Sequence, residues 1–353
     1  QWSEDNRLYT ISDRDNWWQI YRVDGDRFSP VDAGIPQAEI GGPDWSVGAN
    51  YYYLLKGGKI LAKLSRGAVE SLVLIDPVKS SATALPLDSA AIYDFLPVDG
   101  RLFVINATAD APPVLLETDL AGASPNVIRT SRDTSIPEGW IPQYRLVSFP
   151  SGEDGQAHGI YLPPTNPRVQ GPADAAPPLI VSVHGGPTAA SSPTFQLSQL
   201  YWTSRGFAIL DLNYRGSTGF GREYRRSLYG QWGIYDVEDA VAGANWLASQ
   251  GLADPDRLII RGGSAGGYTT LAAHAFHETF AAGASYFGVS DVEALARDTH
   301  KFESRYLDRL VGPYPEQAQL YRDRSPINHV QGLSCPVIFF QGLEDRVVPP
   351  NQA

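Results

Sequence analysis

Six residues, Gly262-Gly263-Ser264-Ala265-Gly266-Gly267, constrain this chain more than any other feature. They lie between an apolar strand-like run at Leu258–Ile260 and an apolar helical stretch through about His277. A strand that turns abruptly into a helix brings two backbones together. Small residues two before and two after the serine, here Gly262 and Gly266, remove the side chains that would clash. Such a turn strains the serine backbone and presents its hydroxyl outward, as a nucleophile elbow does. Gly-x-Ser-x-Gly alone is a weak pattern; its place between strand and helix gives it weight. A glycine turn capped by serine is the bland alternative. A dinucleotide loop does not fit, because the spacing is not Gly-x-Gly-x-x-Gly, and no Gly-Lys-Ser or Gly-Lys-Thr occurs.

The sequence around this turn alternates β and α patterns after Trp140, the signature of a mostly parallel sheet covered by helices. Tyr144–Phe149 and Gly159–Leu162 flank the turn Ser151-Gly152-Glu153-Asp154-Gly155 as a hairpin. Leu179–Val183 and Phe207–Leu212 read as buried strands, and Val337–Phe340 as the last strand. A helix over 236–250 places Val237, Ala240, Val241, Ala244, Leu247 and Ala248 on one face and stops at Gly251.

Two further segments supply what acyl transfer needs. His184-Gly185-Gly186-Pro187 follows the strand Leu179–Val183. Negative charge on a carbonyl oxygen is stabilised by preorganised backbone N–H groups, and in this fold one follows the nucleophile while the other comes from a His-Gly-Gly loop. Ala265 and Gly186 are the candidates, since Pro187 has no N–H. Gly342-Leu343-Glu344-Asp345-Arg346-Val347-Val348-Pro349-Pro350 follows Val337–Phe340 and offers the acid that orients a triad histidine. Asp345 fits the order serine, acid, histidine; Glu344 is its neighbouring competitor, and a solvated loop carboxylate is the bland reading.

Residues 1–138 differ in pattern. Short runs at Leu8–Ile11, Trp17–Tyr21, Tyr51–Leu55, Ser71–Ile75, Leu102–Ile105 and Val114–Leu116 are separated by Gly, Asp, Pro and Ser clusters. A loose repeat opens at 8, 60 and 102, spacings of 52 and 42 residues that suit four-stranded propeller blades. An antiparallel sandwich is the alternative. Two or three blades cannot close a ring, so the propeller reading expects more blades before Gln1.

Composition excludes several classes. A formal charge of −11 lacks the cationic excess of a nucleic-acid partner. No run approaches the roughly 18 apolar residues of a membrane span. Cys335 is the only cysteine, which excludes an intrachain disulfide and a cysteine-rich metal site. His274, His277 and Glu278 lack the His-Glu-x-x-His spacing of a zinc helix, so no metal or other cofactor is expected. The lone cysteine slightly favours a cytoplasmic setting and is compatible with a periplasmic one. The chain opens on Gln1 within patterned sequence and has no Met, so it reads as an internal segment whose missing leader is uninformative.

Taken together, Gly-Gly-Ser264-Ala-Gly-Gly-Tyr268, the His184 loop, Asn213-Tyr214-Arg215-Gly216-Ser217-Thr218-Gly219-Phe220-Gly221, Ser325-Pro326-Ile327-Asn328-His329 and the Asp345 loop resemble the prolyl oligopeptidase family. The likeness is nearest to its acylaminoacyl peptidase and dipeptidyl aminopeptidase branch and covers about 140–353. It implies an α/β-hydrolase domain, 139–353 and lacking its C-terminal end, preceded by a partial β-propeller at 1–138. It implies a serine peptidase acting on short peptides through an acyl-enzyme on Ser264; a homo-oligomer is compatible with it. It also implies a first specificity pocket at 288–306, with Tyr268, Val292, Leu295, Phe302 and Val348 as substrate contacts, against which ordinary core packing competes. All six histidines (158, 184, 274, 277, 300 and 329) precede Asp345. The resemblance puts the triad histidine roughly thirty residues after the acid, beyond Ala353. The 353 residues alone are therefore expected to be inactive and poorly stable. A carboxylesterase of the same fold is the alternative activity.

Overall fold

The computed structural model describes residues 1–353 apart from Asp44 and Glu138; the domain boundary expected at 138/139 falls on Glu138, outside the described residues. The chain divides into two compact units. One comprises Gln1–Pro137 with Ser192–Leu197 and Thr218–Tyr224; the other comprises Glu138–Ser191, Ser198–Ser217 and Arg225–Ala353.

The first unit holds three antiparallel sheets. β1 (Leu8–Asp15), β2 (Trp17–Asp24) and β3 (Arg27–Pro30) form the first. β4 (Tyr52–Leu54), β5 (Ile60–Arg66), β6 (Val69–Asp76) and β7 (Ser81–Ala84) form a four-stranded meander. β8 (Ala91–Val98), β9 (Arg101–Ala107), β10 (Val114–Asp119) and β11 (Asn126–Thr130) form another. Consecutive four-stranded meanders are consistent with propeller blades. Two apolar clusters hold them together, one around Ile20, Ile40, Ile60 and Ile75, the other around Leu61, Leu72, Phe95 and Val104. Alternation explains the split of β5: Ile60 and Ala62 enter the first cluster while Leu61 enters the second.

The second unit is built on a seven-stranded mixed sheet. Its strands are β12 (Arg145–Ser151), β13 (Gly155–Leu162), β14 (Leu179–Val183), β15 (Ala208–Asn213), β16 (Leu258–Gly263), β17 (Ala282–Tyr286) and β18 (Val337–Phe340). The order is β12-β13-β15-β14-β16-β17-β18. β12 and β13 pair antiparallel as the expected hairpin, but pairing runs to Ser151 and Gly155, so only 152–154 remain as turn. β13 also pairs antiparallel with β15; the remaining neighbours are parallel. Every residue of β15 is buried, as a strand covered on both faces requires.

Helix α1 (Tyr235–Ser249) buries Val237, Ala240, Ala244 and Leu247. It ends where Gly251 adopts φ +70°, with Gly251 N–H donating to Ala248 O. Helix α2 (Ala265–Phe276) follows β16 directly and is buried along almost its whole length. The sheet and both helices share one core, which includes Val181, Leu210, Ile260 and Tyr268.

Candidate active site

β14 and β16 are parallel neighbours in register, with Val183 opposite Gly262. Their C-terminal ends therefore deliver the His184 loop and the Ser264 turn side by side. Chain order reverses around β14, and open α/β sheets bind ligands at the carboxyl ends of strands at such points.

Ser264 adopts φ 54° and ψ −120°, a conformation that side-chain-bearing residues rarely occupy and that the surroundings must enforce. Its N–H donates to Tyr286 O at 3.0 Å, anchoring the turn to β17. The hydroxyl does not cap α2, and the residue is half-buried. The glycines enforce the bend as expected. A Cβ on Gly262 would overlap the Gly266 backbone, and one on Gly266 would overlap Val183 O. A Cβ on Gly185 would sit 2.9 Å from Gly263 O and 3.3 Å from Ser264 Cβ. The His184 loop thus lies directly against the serine.

Gly186 takes φ +60° in this loop. Ala265 opens α2, so its N–H belongs to the first turn, which has no intrahelical acceptor. His184 braces the loop. Its Nε2 lies 2.8 Å from Ser217 Oγ and its Nδ1 3.0 Å from Gly185 O, with the ring stacked on Tyr214 at 4.4 Å. Burial holds its pKa down to about 4, so the ring is neutral near pH 7. Asp211 supports the same loop from β15, accepting from Ser191 Oγ at 2.9 Å, and burial pushes its carboxyl up to about 6.

The Asp345 carboxylate is fixed by its own loop: Oδ1 accepts from Val347 N at 2.9 Å and Val348 N at 3.0 Å. Glu344 is exposed and Asp345 half-buried. Backbone bonds link this loop to the serine turn, since Phe287 N–H donates to Phe340 O at 2.6 Å beside the Tyr286 carbonyl that receives Ser264 N–H. Because β16, β17 and β18 are consecutive, the loops after β16 and β18 stand roughly 10 Å apart at ordinary strand spacing. Among the described residues no histidine is hydrogen-bonded to Ser264 or Asp345.

The residues expected to line a substrate pocket differ in burial. Tyr268, Val292, Leu295 and Val348 belong to the hydrophobic core, and Phe302 is exposed. Tyr268 is held there by its hydroxyl, which donates to Arg324 O at 3.0 Å, and by its ring against Trp232. Apolar side chains at these positions gain more from mutual burial than from facing solvent. Two polar contributors were not anticipated: Ser217 and the Tyr286 carbonyl. Backbone acceptors leave no sequence signal.

Among the described residues no helix is long and apolar enough to cross a membrane, and no group of three or more His, Cys, Asp or Glu could hold a metal ion. The family model described as "Prolyl oligopeptidase family" matches residues 193–353. A solved structure of a Mycobacterium tuberculosis puromycin-hydrolysing peptidase is 38% identical, with a TM-score of 0.94 over 99% of this chain and 53% of that one. Dipeptidyl aminopeptidase BIII of Pseudoxanthomonas mexicana is 28% identical over 304 residues, 83% of this chain and 42% of that protein. The acylamino-acid-releasing enzyme of Arabidopsis thaliana is 31% identical over 232 residues, 59% of this chain and 29% of that protein. The chain thus spans less than half the length of these two curated relatives. Its second unit has the α/β-hydrolase fold, and residues 193–353 match the prolyl oligopeptidase family.

Proposed function

We propose that the complete protein hydrolyses amide bonds of short peptides through an acyl-enzyme on Ser264. The observation that carries this reading is the strained serine turn packed against Gly185. Ser264 Oγ attacks the scissile carbonyl carbon while its proton passes to a histidine located after residue 353. The resulting oxyanion accepts hydrogen bonds from the N–H groups of Gly186 and Ala265. Collapse expels the amine, which takes the proton from the imidazolium, and leaves an ester on Ser264. Water, deprotonated by the same histidine, then releases the acid and restores the hydroxyl. Asp345 orients the ring. A gap of roughly 10 Å suits one imidazole bridging Ser264 and Asp345 through two hydrogen bonds. The three antiparallel sheets are proposed as blades of a propeller that limits substrates to short chains.

The test is Ser264→Ala in the full-length protein, assayed on aminoacyl anilides and dipeptide amides. Puromycin joins the set because the similar Mycobacterium tuberculosis peptidase is named for hydrolysing it. Turnover should fall by about 10⁴- to 10⁶-fold. Full amidase activity in the variant overturns the reading. Faster turnover of simple acyl esters with no amide cleavage by the unaltered protein would point instead to an esterase.

A further inference from the structure

Gln352 is only 2% exposed, although it is a polar residue in the short turn that follows the Asp345 loop. Its side-chain amide makes three hydrogen bonds to one opposing loop. Oε1 accepts from Ser290 N at 2.9 Å and from Asp291 N at 2.8 Å, and Nε2 donates to Asp291 O at 3.1 Å. The Gln352 backbone carbonyl takes a fourth bond, from Ser290 Oγ at 2.5 Å. Four hydrogen bonds between two loops, two of them fully buried, form a joint that neither loop can leave without stranding buried polar groups.

Each end of this joint leads to something chemical. On one side, Gln352 N–H donates to Pro349 O, and the preceding residue, Val348, gives its N–H to the Asp345 carboxylate. Gln341 Nε2 closes the base of the same loop on Val348 O at 2.8 Å. On the other side, Asp291 caps helix α3 (Val292–Asp298), its side chain accepting from Ala294 N, while Ser290 O receives Ile327 N–H. The opposing loop is therefore itself tied down at two points.

We propose that Gln352 is a positioning residue: it locks the Asp345 loop to residues 290–291 and so fixes the carboxylate at the distance a bridging histidine needs. The proposal rests on the catalytic reading of Ser264 and Asp345. A glutamine serves where an aliphatic residue would not, because two N–H donors and one carbonyl acceptor must be met by one side chain.

The experiment is a double-mutant cycle in the full-length protein, read as kcat and KM on an activated ester. Gln352→Ala should lower kcat by about 30-fold with KM nearly unchanged, as misplacement by an ångström or less can do. In the Asp345→Asn background the same substitution should cost less than about threefold, because the group it positions no longer acts. Equal losses in both backgrounds would show a purely structural role and overturn the proposal. If Gln352→Ala does not fold, Ser290→Ala, which removes one bond of the joint, should show a smaller loss with the same dependence on Asp345. Independence from Asp345 there overturns it equally. Ser264→Ala in parallel separates the two readings. Activity surviving that change defeats the catalytic assignment itself, whereas its loss beside an additive cycle defeats only the role of Gln352.

Discussion

At the scale of single residues, the Ser264 turn is governed by what is missing from its neighbours. Gly185 leaves room for one hydrogen and no more, with a Cβ placed 2.9 Å from Gly263 O and 3.3 Å from Ser264 Cβ. Gly185→Ala should push the His184 loop away from the serine and displace the Gly186 N–H. We expect kcat/KM to fall by about 10²- to 10³-fold, the loss typical of one oxyanion donor, with a modest change in melting temperature. Steady-state kinetics beside a thermal melt checks this; a collapse of stability with unaltered kinetics in the folded fraction would contradict it. The residues fixing the turn were legible because glycine is informative where backbones touch. Tyr268 was not placed by the same reading, since its family motif gives no hint that its hydroxyl is spent on Arg324 O.

The elements show a related divide. Strands with a strong apolar signature, such as β14 and β15, were readable directly, and so was α1 with its glycine stop. β17 was missed because Ala282-Gly283-Ala284-Ser285-Tyr286 contains no β-branched residue. Packing explains this composition: a Cβ on Gly283 would strike the His274 ring on α2, so this strand must stay slim. β11 was missed for the opposite reason, being exposed at all five positions and showing no alternation. β8 is interrupted by a register shift between Ile92 and Asp94 and carries Pro97, both of which obscure its period. The stop of α1 gives a testable number. Gly251→Ala forces a Cβ into φ +70° and should cost about 1 kcal/mol, read as a lower unfolding midpoint with unchanged kinetics. No shift in the midpoint would mean that the helix end relaxes.

For the molecule as a whole, buried carboxyls shape the dependence of stability on pH. Burial pushes Asp236 up from 3.8 to about 6, although Thr269 Oγ1 at 2.5 Å and Gly233 N at 2.6 Å both donate to it. Asp211 shifts in the same sense. A raised carboxyl pKa means that the folded state holds its proton more tightly than the unfolded chain does. The cost of ionising it inside is absent below pH 4, grows between about 4 and 6, and is complete above. Asp236→Asn keeps an acceptor for Gly233 N–H and can donate to Thr269 Oγ1, whose own proton goes to Ala265 O. The variant should therefore lose less stability than the parent on going from pH 4 to pH 7, by on the order of 2–3 kcal/mol. Denaturant midpoints across that interval check this, and parallel curves would refute it. The backbone at position 264 exerts a different pressure on the same molecule. Glycine would rest there without strain, so a lineage drifting toward sturdiness at that position would sacrifice the oxygen proposed as the nucleophile in the same step. Longevity of the fold and reactivity of the site are opposed at one codon.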